Sequence, residues 1–413
     1  MNLKFTLLLP AALLLFTSAR AQQVTDTVSL GAGYANQKWY SLQNDEQGTA
    51  PKNNWDIAFE CAQYGTSVLI NSPTGTRLWL AATTDTSQWT TLDTTGMVAS
   101  WPVRYNSDTS WYLGAFSQPQ TNQYDLGWGI YNPITHFVDG DSLYVIKLAN
   151  NTYRKIWIKQ LASGTFTFRY ANLDNSGDTT VQLQKSNFAG ELFAYYSIQN
   201  NAELSREPQA GSWDLTFCQY TAFIPTPYGV TGVLHNNGVL VAQASPVDVI
   251  TAQWTDYPYT TPINEIGYDW KTLNMSTFQW EIADSTVYFV QDLNGNIWKL
   301  IFTGFGGSAN GNFVFTKEQV GTSSVSNEGH TQSMALYPNP TAQQMVTVIT
   351  SLGESNEGVV TATDATGKTV YSQQIQGSGL QQQLIDTSGW APGIYFVSVV
   401  SDGAVLTQKL IVQ

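Results

Sequence analysis

Positive charge is scarce in this chain. Of 413 residues only 18 are Lys or Arg, against 31 Asp and Glu, for a net charge of −13. A phosphate backbone is held by clustered Lys and Arg, and no such cluster occurs, so nucleic acid is excluded as a partner. The same sign opposes electrostatic attachment to anionic lipid. Only two cysteines are present, Cys61 and Cys218. Two do not make a disulfide framework, and neither has metal-ligand spacing; a single bridge between them is left open. Charged residues make up 12% of the chain, and helical runs pairing Glu with Lys at i, i+4 are absent. Polarity is carried by Thr, Ser, Asn and Gln, which favour turns and strand faces. Beyond the N-terminus no stretch is apolar enough to span a membrane.

At the N-terminus, Lys4 precedes an apolar run, Leu7–Phe16, which closes on Ala19-Arg20-Ala21. The run is too short to cross a bilayer and ends in a small-x-small site, so 1–21 reads as a signal peptide. The mature chain is expected to start near Gln22, outside the inner membrane. Its length suits two or three domains.

An internal repeat organises the middle. Tyr40-Ser-Leu-Gln-Asn44 matches Tyr196-Ser-Ile-Gln-Asn200, and Trp55-Asp-Ile-Ala-Phe59 matches Trp213-Asp-Leu-Thr-Phe217. Val68-Leu-Ile-Asn71 matches Val233-Leu-His-Asn236. Tyr144 stands to Lys155 as Tyr288 stands to Lys299, and Gly164-Thr-Phe-Thr-Phe168 matches Gly311-Asn-Phe-Val-Phe315. This predicts two units, at 22–190 and 191–320. Alternation with period two marks strands and assigns Trp55, Phe59, Trp213 and Phe217 to the core as structural residues. Asn294-Gly295 is a two-residue hairpin signal. The expected fold is all-β: two related antiparallel β units, a polar linker at 321–334, and an Ig-like β-sandwich at 335–413.

The tail carries an address. Leu336-Tyr-Pro-Asn-Pro340, paired with a C-terminal strand from Gly393 to Gln413, resembles the type A C-terminal sorting domain of type IX secretion. That resemblance implies export, a secreted or outer-membrane cell-surface location, and the type IX machinery as a partner.

Residues 28–320 resemble the HmuY-like family in their Tyr-Ser-Leu/Ile, Trp-Asp and Phe-x-Phe-x-Tyr strands, the last at Phe166–Tyr170. The resemblance implies an all-β surface protein that binds haem, with His or Met pairs as iron ligands. Of three histidines, His330 lies in the linker, which leaves His136 and His235 as the candidate pair; Met97 and Met275 are the methionines within 28–320. The aromatic, proline-broken loop Gln253–Tyr259, with Trp254, Tyr257 and Tyr259, reads as a binding-loop tip for haem or a glycan. A second reading is a surface adhesion module that binds glycans or proteins through such loops.

Catalysis finds little support. Gly140-Asp-Ser-Leu143 spells an esterase signature, but no histidine has an aspartate three residues before it. Asp174-Asn-Ser-Gly-Asp178 looks like a calcium loop yet lacks the later Gly and Glu. Asp56 and Asp214 could be imagined as a carboxylate pair, but each is expected to cap backbone N–H groups. The chain is therefore read as a binding protein and not an enzyme.

Overall fold

A computed structural model describes residues 23–81, 85–118, 120–122, 124–322, 334–337, 339, 341, 345–352, 357–364, 366–377, 379–401 and 404–412. The predicted signal peptide and most of the predicted linker lie outside the described residues. The chain divides into two compact units, one ending at Thr322 and one beginning at Ser323. Strands dominate both, and the described α-helical segments are single turns, Met97–Ser100 and Gly307–Asn310. No described helix is long and apolar enough to cross a membrane.

The first unit contains two β-sandwiches. In the first, one sheet runs Thr179–Gln184, Thr165–Ala171, Tyr153–Ala162, Tyr144–Lys147, Arg77–Leu80 and Val103–Arg104. It faces a four-stranded sheet of Ala202–Leu204, Phe193–Ser197, Ile57–Glu60 and Val68–Ile70. Ile57, Phe59, Tyr144, Phe166, Phe168 and Tyr196 fill the space between them. The second sandwich repeats the plan. Val24–Ser29, Asn312–Thr322, Asn296–Phe305, Val287–Gln291 and Leu240–Ala244 form one sheet. Pro227–His235, Leu215–Phe223, Asn36–Ser41 and Asp45–Pro51 form the other. Tyr40, Leu215, Phe217, Tyr288, Phe313 and Phe315 are its core.

The repeats do not close on themselves. The first hairpin of repeat one, Asn36–Ser41 with Asp45–Pro51, pairs with Leu215–Phe223 of repeat two. The matching hairpin of repeat two, Phe193–Ser197 with Ala202–Leu204, pairs with Ile57–Glu60 of repeat one. Val24–Ser29 closes on Asn312–Thr322, near the end of the unit, as Thr179–Gln184 closes on Thr165–Ala171. Strand pairing therefore threads across the 190/191 boundary expected from the motifs.

The matched motifs hold this exchange together. Asp56 is fully buried and accepts the backbone N–H of Gln199 at 3.1 Å and its amide at 2.8 Å. Asp214 accepts the backbone N–H of Leu42 at 2.7 Å. Each Trp-Asp motif thus caps the Tyr-Ser turn of the other repeat, the backbone-capping role expected for both aspartates. Burial raises the Asp214 carboxyl to about 6. Asn71 and Asn236 occupy matched places, each donating its amide to the carbonyl of the repeat's own tryptophan, Trp55 and Trp213.

The two tryptophans correct the simple alternation. The regular strands start only at Ile57 and Leu215. The inward aspartate before each strand throws the tryptophan onto the opposite, outer face. Trp55 is half-buried, edge-on to Tyr195 at 5.0 Å. Trp213 is 1% exposed and packs with Trp39 and Ala50. Phe59 and Phe217 lie in the cores, as expected.

The second unit is a two-sheet sandwich. Met334–Tyr337, Met345–Leu352 and Gly379–Asp386 form one sheet; Thr369–Gln376, Glu357–Asp364, Gly393–Ser401 and Ala404–Val412 form the other. Val346, Val348, Val360, Val397 and Leu410 lie in its core. Asn339, the fourth residue of Leu336–Pro340, donates to Lys409 O at 2.6 Å and accepts from Ile411 N at 2.9 Å. The motif and the C-terminal strand therefore meet physically.

Candidate functional site: a groove between the exchanged sheets

The outer faces of the two four-stranded sheets meet. Arg206, 9% exposed, seals part of the seam. Its guanidinium donates to Asn54 Oδ1 (3.1 Å), Gln37 Oε1 (2.9 Å) and Pro51 O (3.0 Å). It also lies over the rings of Trp39, Trp55 and Tyr195 at 5.2, 5.7 and 4.9 Å. A guanidinium can fill such a place because its plane stacks while its edge donates. Beside it, Glu207 accepts from Phe193 N and Tyr195 Oη, both at 2.8 Å. Burial pushes the Glu207 carboxyl up to about 7.

Elsewhere along the seam the loop carrying Trp111 is laid in. Trp111 packs against the apolar patches on both sheets, and its Nε1–H donates to His235 O at 3.0 Å. Two cavities share it as a wall. The first, about 90 Å³, is lined by Lys52, Trp55, Asn106, Tyr195, Gln219 and Tyr220 among others. Asn106 caps a sheet edge there: its Oδ1 accepts from Ile70 N at 3.0 Å and its Nδ2 donates to Ile70 O at 2.8 Å. Lys52 Nζ donates to Gln219 Oε1 at 2.6 Å. The second cavity, about 250 Å³, is lined by Glu60, Cys61, Tyr112, Glu191, Phe193 and Asn237 among others. Cys61 and Cys218 are both free thiols. Burial pushes each up to about 12, so neither is an ionised nucleophile at neutral pH. The bridge left open by the sequence is not formed.

The predicted ligands are placed otherwise. His235 is buried, with Nδ1 3.0 Å from Asn236 O and Nε2 2.8 Å from Pro262 O. Each ring nitrogen faces a carbonyl oxygen in a buried place, so neither is presented to a ligand iron. Burial also lowers its pKa. His136 is exposed, has positive φ, and bonds Tyr131 Oη through Nδ1 at 2.7 Å. It closes a hairpin turn whose counterpart in repeat two is closed by Phe278, also at positive φ. Met97 is buried in its helical turn, and Met275 is exposed.

Trp254, Tyr257 and Tyr259 do not form a presented tip. All three are half-buried and pack on the sheet face of Ala242, Ala244, Val287 and Phe289. Tyr257 stacks on Phe289 at 6.1 Å. Lys299 ties this loop down, donating to Ile250 O and Ala252 O. Its counterpart Lys155 donates to Trp89 O in the other repeat, which accounts for the matched Tyr-to-Lys spacing. Ser142 is buried and donates to Asp141 Oδ1 at 2.9 Å; among the described residues no histidine bonds it. Asp174 accepts from Ser176 and Asp178 pairs with Arg169, so the calcium-like loop is a turn. The described residues hold no group of three or more metal-ligating side chains.

In sequence Trp111 is one of 14 tryptophans, with nothing local to mark its role. Arg206 and Glu207 are adjacent charges in a chain with few, the one signal that could have marked the seam. Glu60 and Glu191 gave none.

A comparison with curated proteins yields no match. Among solved structures, dimeric latent PorU from Porphyromonas gingivalis aligns at 11% identity over 94% of this chain, with a TM-score of 0.18. This chain spans 34% of that one, and no common fold follows at that score. Residues 335–413 match the secretion system C-terminal sorting domain family, so this is a secreted or outer-membrane cell-surface protein whose tail addresses it to the type IX secretion machinery.

Proposed function

We propose that the first unit is a non-catalytic binding module displayed outside the cell, and that its ligand enters the seam at Trp111. The observation that carries this reading is the pair of aromatic-walled cavities flanking one tryptophan between the exchanged sheets. Ligand sites are concave and mostly apolar, with a few convergent polar groups. Here Lys52, Asn106, Glu60 and Glu191 supply those groups.

Haem is the ligand implied by the HmuY-like resemblance. Its predicted pair is compromised by His235, and the two cavities are smaller than the about 300–1,000 Å³ that encloses a drug-sized ligand. Haem would have to bind elsewhere, with exposed His136 as the available imidazole. A second reading, contact with glycans or proteins, draws on the tip of the Leu215–Phe223 and Pro227–His235 hairpin, where Phe223, Ile224 and Tyr228 are exposed.

Tryptophan fluorescence of the full chain, titrated with haemin, a glycan panel and small amines, tests the proposal. A saturable response lost in Trp111→Ala supports the seam. A Soret band that survives Trp111→Ala and vanishes in His136→Ala would move the site to the hairpin. No response to any class would remove the binding reading.

A further inference from the structure

The larger cavity has a chemistry of its own. Two of its walls are carboxylates, Glu60 and Glu191, 6% and 9% exposed. Glu60 is committed: its Oε2 accepts from Ser67 N at 3.0 Å. Glu191 is half committed. Its Oε1 accepts from Ser205 Oγ at 2.6 Å, but its buried Oε2 has no hydrogen-bond partner. A buried acceptor without a partner is costly, more so when charged, so such an atom points to a missing donor. The remaining walls include Trp111, Tyr112 and Phe193. Lys185, whose charge acts on Glu60 and Cys61, is spent on backbone: its Nζ donates to Ala62 O at 2.7 Å and Gly65 O at 2.6 Å.

Carboxylates on one side and aromatic faces on the other are the complement of an organic cation. Its charge pairs with the carboxylate, and its stem and positive edge lie on the rings. The chain's net charge of −13 also favours a positively charged guest. An anion is refused by the same walls. A bare metal ion would find Glu60 already bonded, and no third metal-ligating group joins the two among the described residues.

We propose that the cavity of about 250 Å³ between Trp111, Tyr112, Glu60 and Glu191 binds a small organic cation, an ammonium or guanidinium group on a short aliphatic stem, with Glu191 Oε2 as its acceptor. This deepens the reading of the Trp111 seam as a binding site and rests on it. Burial raises the Glu191 pKa, and a bound cation would favour the charged form of this carboxyl. Cys61 borders the site, but its high pKa leaves it a passive wall.

The test uses the full chain and four probes of similar size: n-butylammonium, n-butylguanidinium, 1-butanol and butyrate. Calorimetry should show saturable binding of the two cations and none of butyrate. Glu191→Gln should weaken the cations by roughly tenfold or more, while circular dichroism and the melting transition stay in place. Tyr112, about half exposed, gives a second variant: Tyr112→Ala should weaken the cations without touching the buried carboxylates. Equal binding of cations and 1-butanol would overturn the cation assignment and leave the seam as an apolar site. Cation binding unchanged in both variants would overturn this cavity as the site. Absence of binding by all four probes, with a seam response to another ligand, would overturn the inference alone; absence of any seam response would overturn both readings.

Discussion

The carboxylate of Asp56 accepts the backbone N–H of Gln199, a residue 143 positions further along the chain. Asp214 does the same for Leu42 in the reverse direction. Each repeat therefore holds the first turn of the other. Asp56→Ala would leave the Gln199 N–H without its acceptor at a part-buried turn and remove the bond from the Gln199 amide as well. The expected loss is about 2–4 kcal/mol, read as a lower denaturant midpoint. Asp56→Asn should lose less, because an amide oxygen can still accept one of the bonds.

Trp213→Ala and Trp55→Ala should differ, although the residues are equivalent in the repeat. Trp213 is enclosed and its removal should cost about 3–5 kcal/mol. Trp55 is half-buried at the seam and should cost about 1–2 kcal/mol on the area it hides. Urea unfolding of both variants checks this, and equal losses would contradict the assignment of faces.

Glu207 links stability to pH. Its folded pKa of about 7 lies above the ordinary carboxyl value, so the folded state binds the proton more tightly. Its contribution is complete below about pH 4.5 and declines as pH rises to about 7. Wild type should lose about 3 kcal/mol relative to Glu207→Gln across that window. The variant amide can still accept from Phe193 N and donate to Tyr195 Oη. A parallel pH profile in both proteins would show that Glu207 does not titrate there.

Asn339 offers a local test in the tail. Asn339→Ala removes two hydrogen bonds to the C-terminal strand and should lower the melting transition of the second unit by about 1–2 kcal/mol. The transition of the first unit should not move. Differential scanning calorimetry separates the two.

The β character was legible because alternation is local: Phe166, Phe168 and Tyr170 face one way for reasons within a few residues. The repeat was legible as well, since duplicated strands keep their turn residues. The exchange was not, because nothing in Tyr40-Ser-Leu-Gln-Asn44 says which Trp-Asp motif it will meet. The cap Asp56 makes on Gln199 is a long-range choice between two nearly equal partners. The candidate site was less legible still. Trp111 gains its role from two sheets, each assembled from strands of both repeats, and Glu191 from the absence of a partner, which no motif records. The surroundings of His235 were not legible either, since a histidine in a strand shows its residue type and not the two carbonyls beside it.

The two halves are interlocked, and splitting the chain between residues 190 and 191 would expose that dependence. Fragment 22–190 lacks the hairpin that pairs with Ile57–Glu60, and 191–322 lacks the strands that pair with Leu215–Phe223 and Asn312–Thr322. Each fragment alone should show no cooperative unfolding by near-ultraviolet circular dichroism, and mixing them should give a one-to-one complex that does. A cooperative transition in either fragment alone would contradict the exchange of hairpins and, with it, the seam at Trp111.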